Sequence, residues 1–500
     1  MTKQVKGLLA GCAVLTLLGG GLAVLLLNEP EQQEESSVGE EDTSTPLWHT
    51  ESDLISRIEV SNPKGDTFAA NRKITPTETT DYEGNTVTED VTDYILEGYE
   101  ALPMETYEAR MLATRAPELS SISTIVENAN DEDLKTYGFD QPIKVKYTVD
   151  EADPIVFYVG NISTRATYSY LMLENDNRIF MIESSAVEMF RKNIKDFLGT
   201  SLTESFDTEK DAQVENIRIR RKDLDYEIYC EYDKYYETDN SSAAGGTALH
   251  VMKEPIPCLL SPDKSEKATH GLFGLSATEV VKPFPSEADM AAYGLDDPYV
   301  SVTMVDKNNK TTVFIMGNTY ETEDGKKLRY GCLDSINCVY GFSADNTIYG
   351  SLKAEDITSK VVVDSYVWDI GHLTYEADGR KWEFEGKGSS ADDFVMTYNG
   401  NSFENLERYR LLYTYLLKTA AEELVLDGRE ATGTPMASVK IEEQNDKRSY
   451  DVAFYDGGGL KAYIAVNGKV LFACRKSFVT TLIENLNKFD DEDKQFTMTW

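Results

Sequence analysis

Five hundred residues is more than one hydrophobic core organises and suits about three domains at ~150 residues each. The chain carries 87 acidic against 49 basic residues, a net charge of −38, and a field of that sign repels phosphate backbones and argues against a nucleic-acid partner. Six cysteines in this length exclude a disulfide framework, and none of them stands in a CxxC or in a Cys/His cluster with zinc spacing.

Gly7–Leu27 is an uncharged run of 21 residues. As a helix it would span about 31 Å, enough for a bilayer core. Lys3 and Lys6 precede it and the next 29 residues hold no Lys or Arg. The positive-inside rule therefore expects a cytoplasmic N-terminus (1–6) and an extracytoplasmic remainder. Leu9-Ala10-Gly11-Cys12 matches a lipobox, but most of the apolar run follows Cys12, so a retained anchor is expected in preference to lipidation or cleavage. Asn28–Pro46 has seven acids and no base. It cannot bury enough surface to offset its own ordering, and 28–50 reads as an acidic, disordered stalk.

Beyond the stalk the chain repeats itself. Tyr137-Gly138-Phe139-Asp140-Gln141-Pro142 recurs as Tyr293-Gly294-Leu295-Asp296-Asp297-Pro298, and Phe157-Tyr158-Val159-Gly160-Asn161 as Phe314-Ile315-Met316-Gly317-Asn318. The offset is 156 or 157 residues, the period of a duplicated domain rather than of a solenoid. Alternation and β-branched or aromatic content predict strands opening each copy: Ile58–Val60, Thr67–Ala70 and Tyr94–Leu96; Ile217–Ile219, Tyr226–Tyr229 and Leu249–Met252; Leu373–Tyr375, Trp382–Phe384 and Phe394–Met396. A helix follows, clearest in the third copy, where Leu406, Tyr409, Tyr413, Leu416, Leu417, Ala420 and Leu424 form one apolar stripe.

The Tyr-Gly element reads as a short helix that stops sharply and feeds a strand. Asp131 and Ser286 are the expected N-caps, Gly138 and Gly294 the left-handed ends, and Pro142 and Pro298 the stops. The third copy keeps only Gly433-Thr434-Pro435 before Ser438–Ile441. Hairpins are predicted around Glu174–Asn177, Asp334–Asn337 and Asn467-Gly468, and closing helices over Ser185–Leu198, Ala344–Leu352 and Ser477–Phe489, with Ser185 and Glu188 as a capping box.

On the Tyr-Gly-Leu-Asp-x-Pro turn, the strand pair behind it, the Gly-Asn end and the N-terminal anchor, the chain resembles the bacterial domain-of-unknown-function family DUF4340, well over 50–360 and loosely over 366–490. The resemblance implies an extracytoplasmic, single-pass protein of the sort often encoded beside ABC-type exporters of the gliding-motility kind. It assigns no catalytic residue.

The chain offers little to a search for chemistry. His49, His250, His270 and His372 stand in no metal-ligand spacing, and His250, beside Val251 in a strand, reads as a core histidine. GxSxG, GxxxxGK[ST] and a strand-led GxGxxG are absent from the sequence, and Gly457-Gly458-Gly459 lies between two strands as a loop. Asp296 and Asp297 are two acids among many. Glu174–Asn177 and Asp306–Asn309 lack the spacing and the Gly of a calcium loop and read as polar turns. Tyr232–Tyr236 reads as a strand end plus loop, with sugar stacking as the alternative. Cys332 and Cys338 flank a hairpin tip and are either bridged or two thiols.

The expected fold class is therefore α+β: tandem modules of antiparallel sheet with packed helices over 51–205, 206–363 and 364–500, preceded by one transmembrane helix, 7–27. The expected function is a membrane-anchored, extracytoplasmic, non-enzymatic interaction protein, accessory to an ABC-type exporter and partnered by its permease. No catalytic, cofactor or metal residue is assigned. A module that binds wall glycan or peptide is the alternative, and a carboxylate-based hydrolase comes third.

Overall fold

The computed structural model describes residues 45–80, 86–114, 118–237, 247–418 and 421–500. The expected anchor Gly7–Leu27 and the stalk up to residue 44 lie outside them, and among the described residues no helix is long and apolar enough to cross a membrane. Strand accounts for 43% of the structure and helix for 18%, so antiparallel sheets are the framework, and the helices include α1 (Thr106–Thr114), α3 (Pro262–Thr269) and the single turn α5 (Ala354–Ile357).

The chain forms two compact units. In one, from described residues 45–51, 118–142 and 156–187, β1 (Thr45–His49) pairs with β5 (Glu118–Ser121). The same unit holds β6 (Ser123–Val126), β8 (Ile155–Ile162), β9 (Tyr168–Leu173) and β10 (Ile179–Glu183), in the order β8-β9-β10-β6. The other unit starts with β2 (Ile55–Ser61), β3 (Thr67–Thr80), β4 (Thr86–Leu96) and β7 (Ile143–Val149), in the order β4-β3-β2-β7.

That second unit continues through two nine-stranded sheets. The first is made of β11 (Val214–Arg221), β12 (Ile228–Tyr232), β13 (His250–Glu254), β14 (Cys258–Leu259), β15 (Glu279–Pro283), β16 (Val300–Asp306), β17 (Thr311–Glu321), β18 (Lys327–Leu333) and β19 (Cys338–Phe342). Its order is β14-β13-β12-β11-β16-β17-β18-β19-β15. The other is made of β20 (Ile370–Ala377), β21 (Arg380–Lys387), β22 (Val395–Tyr398), β23 (Asn401–Phe403), β24 (Glu423–Leu424), β25 (Ala437–Glu443), β26 (Ser449–Asp456), β27 (Lys461–Val466) and β28 (Lys469–Arg475), in the order β23-β22-β21-β20-β25-β26-β27-β28-β24. The two orders are the same, strand for strand. The four-stranded runs of the N-terminal region follow the same order, without a counterpart of the outermost strands β14 and β23.

Alternation decides which face is covered. Val300, Val302 and Met304 on β16, like Ala437, Val439 and Ile441 on β25, are buried, while the residues between them are not. In the last sheet that face meets α6 (Leu406–Leu417) and α7 (Lys476–Lys488): Tyr409, Tyr413, Leu416, Phe478, Leu482 and Leu486 join Leu373, Tyr375, Val439 and Ile441 in one core. Burial of each such side chain contributes about 1.5–3 kcal/mol. The apolar stripe therefore reads correctly up to Leu417. Leu424 lies in β24 instead, and Ala420 is outside the described residues.

The two repeated motifs meet each other. α2 (Asp131–Tyr137) and α4 (Glu287–Ala292) end at Gly138 (φ 86°) and Gly294 (φ 70°), both left-handed. Phe139 N–H donates to Leu134 C=O at 2.6 Å, and Leu295 N–H to Met290 C=O at 2.8 Å, closing the last turn in the same way. The Gly-Asn pairs form bulges. Gly160 and Asn161 together oppose the single residue Tyr170 on β9, and Gly317 and Asn318 together oppose Tyr330 on β18. Each bulge sits against a helix end. A Cβ on Gly160 would lie 2.3 Å from the Tyr137 carbonyl oxygen, and one on Gly317 would lie 2.2 Å from that of Tyr293. Asn161 and Asn318 reach the helix-terminal carbonyls of Thr136 and Ala292 at 3.5 Å. The third sheet has neither the helix nor the bulge: β26 and β27 pair in unbroken register.

Several expectations need correction. The stalk was expected to run to residue 50, but Thr45–His49 is a strand, held by β5. The N-cap of α2 is Asn130, not Asp131; its side chain accepts from Glu132 N–H and Asp133 N–H. Ser286 caps α4 as expected. Ser185–Leu198 is no α-helix but three 3-10 turns, Ser184–Ala186, Glu188–Arg191 and Ile194–Phe197, and the capping box falls on Asn193 and Asp196 rather than on Ser185 and Glu188. Turns replace the helix expected over Ala344–Leu352, and a single helical turn, Ala354–Ile357, follows them. Cys332 and Cys338 are separate thiols. Gly331 pairs with Tyr340, and continuing that register sets Cys338 opposite Leu333, one residue out of step with Cys332. Burial pushes both thiols up to about 11.

The helix-end contact predicts that Gly317→Ala costs about 1–3 kcal/mol, because the methyl group meets a backbone oxygen that cannot move without unwinding α4. Hydrogen exchange on the full chain should show Leu295 and Asn318 amides losing roughly tenfold or more of their protection. Unchanged protection would contradict the contact.

Candidate functional site

A polar cluster built around Asp364 lies where the two nine-stranded modules meet. Val361-Val362-Val363 runs into this residue, whose carboxylate is fully enclosed. Four donors converge on it. Tyr236 O–H donates to Oδ2 at 3.1 Å and Thr247 O–H to the same oxygen at 2.8 Å. Arg448 Nη1 donates to Oδ1 at 2.5 Å, and Tyr450 O–H donates to that oxygen as well. Tyr236 and Thr247 come from the first nine-stranded module, and Arg448 and Tyr450 from the second. Arg448 also binds Asp233, which follows β12, and its guanidinium lies 3.8 Å over the Tyr235 ring.

Burial opposes the charge of Arg448, but Tyr450, Asp364 and Asp233 outweigh it and hold the guanidinium protonated above its ordinary range. Burial and then Asp364 push the Tyr236 and Tyr450 phenols up, so both stay donors. Glu443, at the end of β25, is 3% exposed, and its carboxyl oxygens make no hydrogen bond of good geometry among the described residues. Burial raises its pKa against the opposing influence of Ser365, Tyr235 and Arg448, while Asp369 adds to the rise.

Two clefts lie between the modules, and the smaller borders the cluster. One, of about 830 Å³, is lined from one side by Ser261, Lys264, Glu355, Ser359 and Lys360 and from the other by Glu422, Glu423, Leu424 and Phe472. The other, of about 200 Å³, shares Phe472 and is lined by Asp233, Cys258, Arg448 and Tyr450. The larger carries Lys264, Lys360 and Glu355 on one wall and Glu422 and Glu423 on the other. Among the described residues no group of His, Cys, Asp and Glu has the arrangement of a metal site.

The residues singled out in the sequence go elsewhere. Tyr235 and Tyr236 belong to the Asp364 cluster, and Tyr232 lies edge-on to His250 with Lys307 4.4 Å from its ring. His250 is a core histidine: Nε2 is 2.9 Å from the Val214 carbonyl oxygen, and burial pulls its pKa down to about 4. His270 packs beside it, also lowered by burial. His49 faces Glu118 at 3.3 Å, and His372 is exposed on β20. Asp297 pairs with Lys222 at 2.5 Å, and Asp306 accepts from Asn308 and Lys310 N–H within its own turn. Arg448, Asp364 and Glu443 escaped sequence reasoning. One signal was present: an acid closing the apolar run Val361–Val363 needs a buried partner.

The model of the family described as Domain of unknown function (DUF4340) matches residues 96–298, a span that contains both Tyr-Gly turns, so the resemblance read from those turns holds over this part of the chain. No curated protein and no solved structure matches the chain.

Arg448→Met should cost about 3–5 kcal/mol, because it leaves Asp364 buried and uncompensated. The double variant Arg448→Met/Asp364→Asn should recover part of that loss, measured as a coupling energy by urea denaturation; strict additivity would contradict the pairing. Glu443 carries its own pH signature. Its folded pKa is raised, so its contribution is fully present below the ordinary carboxyl pKa and is lost as pH rises through the raised value. Glu443→Gln should therefore gain stability over the parent as pH increases, and a gain that is the same at every pH would contradict the assignment.

Proposed function

We propose that this protein is a membrane-anchored, extracytoplasmic, non-enzymatic interaction protein, and that its partner is the permease of an ABC-type exporter. In this reading Gly7–Leu27 spans the membrane once with the N-terminus in the cytoplasm, the acidic segment after it serves as a spacer, and tandem α+β modules on the outer face do the docking. The observation that carries the reading is the Asp364 cluster. It fixes two modules against each other, a wide two-walled cleft lies between them, and the polar groups of the cluster are engaged in holding the modules together. A charge of −38 steers such a surface toward basic patches on a partner. Cell-wall glycan or peptide is the second reading, supported by Phe472 and the lysines 264 and 360 in that cleft.

A photo-crosslinking residue placed at Lys264 or Glu423 in cells should capture a polytopic permease, and deletion of 51–500 with the anchor kept should abolish recovery. Capture of wall polymer alone would overturn the first reading in favour of the second, and turnover of that polymer by the purified chain would overturn both.

A further inference from the structure

The N-terminal run of strands ends in a two-stranded ribbon that reaches past its sheet. β3 pairs with β2 only as far as Asn71, opposite Arg57, whereas its pairing with β4 continues to Thr80, opposite Thr86. Residues 72–80 therefore have one strand neighbour and β4 has one, β3. In both nine-stranded sheets the strand in the place of β4 is covered: β14 pairs with β13, and β23 with β22. Among the described residues no strand takes that place beside β4.

The polarity of this edge follows from one bond. Glu97 N–H donates to Ala69 C=O at 2.8 Å, in the register that pairs Ala70 with Leu96. Bonding and non-bonding pairs alternate along an antiparallel ladder. The backbone groups of Val87, Glu89 and Val91 therefore face β3, and those of Thr88, Asp90 and Thr92 face outward. The same alternation turns the nitrogen of Pro76, opposite Asp90, to the far side of the ribbon. Pro76 has no N–H to offer there, so the edge of β3 is interrupted while the edge of β4 carries its donors intact. The ribbon is β-branched and open to solvent, with Ile74 54% exposed. Over 72–80 and 86–93 its acids are Glu78, Glu89, Asp90 and Asp93, the last paired with Arg110 at 3.0 Å, and its cations are Arg72 and Lys73, so the stretch that faces solvent around Glu89 and Asp90 is acidic.

We propose that the outer edge of β4, over 86–92, is a strand-addition site for an extended basic segment of a partner protein. The added strand takes the place that β14 and β23 fill in the other sheets, and its lysines or arginines lie beside Glu89 and Asp90. Charge selects this occupant. A second copy would set Glu89 and Asp90 against acids of its own ribbon, and residues 28–44 of this chain contain seven acids and no base. The inference is independent of the exporter reading.

The test uses the full chain in detergent and a fluorescent peptide alternating Lys with Val, followed by anisotropy. Saturable, salt-sensitive binding is expected, with protection of the Thr88, Asp90 and Thr92 amides in hydrogen exchange. Thr88→Pro and Thr92→Pro remove outward N–H groups without touching the β3 ladder and should weaken binding at least tenfold. Glu89→Lys/Asp90→Lys, which leaves the backbone alone, should reverse the preference toward a Glu-Val peptide. Equal binding to the proline variants, equal binding of the Glu-Val peptide to the parent, or self-association of the chain through this edge would each overturn the proposal.

Discussion

One buried carboxylate sets how the two C-terminal modules stand to each other. Removing an ion from water costs several kcal/mol even after relaxation, so Asp364 is tolerated only where its lone pairs are filled. Tyr236 and Thr247 supply half of that filling from one module, and Arg448 and Tyr450 supply the rest from the other. Neither module satisfies the residue alone. In a chain with so large an excess of acids, two surfaces brought together repel each other, and a buried cation held between Asp364 and Asp233 is what the contact needs. The smaller cleft borders this junction, lined by Asp233, Arg448 and Tyr450.

Within a module a smaller contact does comparable work. A helix ended by a left-handed glycine meets a strand bulged at Gly-Asn, and neither can shift without a clash at the Tyr137 or Tyr293 carbonyl. The four motif positions are thus one contact. The last module dispenses with it. There two longer helices, α6 and α7, close over the sheet, and Arg408 ties the chain after α7 back through bonds to the Phe489 and Asp491 carbonyls. Bulge and turn are lost together, as a single contact would require.

The parts of this fold that were legible in the sequence are local. Asn467-Gly468 in a tight hairpin, Ser286 with Asp289 at a helix start, and Gly294 before Pro298 each announce their conformation within a few residues. The stretch 185–198 misled because Ser185 and Glu188 have the spacing of a capping box, yet Val187, Phe190 and Phe197 reach the core at or just after separate 3-10 turns. The ribbon beyond Ala70 was not among the expected strands; Pro76, disfavoured inside a sheet, lies here on an edge where its missing N–H costs nothing. The Asp364 cluster was illegible for another reason. Arg448 stands 84 residues from Asp364 and 215 from Asp233, and pattern within a window cannot join such groups. The Tyr cluster was seen, but its partners were not, so stacking on a ligand stood as its alternative to what is a structural role.

The account rests most on the fixed pairing of the two nine-stranded modules. The direct measurement is a pulsed electron–electron distance between spin labels carried by unnatural amino acids at Lys264 and Glu423, on opposite walls of the larger cleft, in the full chain. A single narrow distribution that is unchanged from low to high salt is predicted, because the ion pairs that hold the junction are buried and screened little. A broad or bimodal distribution, or one that widens with salt, would contradict it.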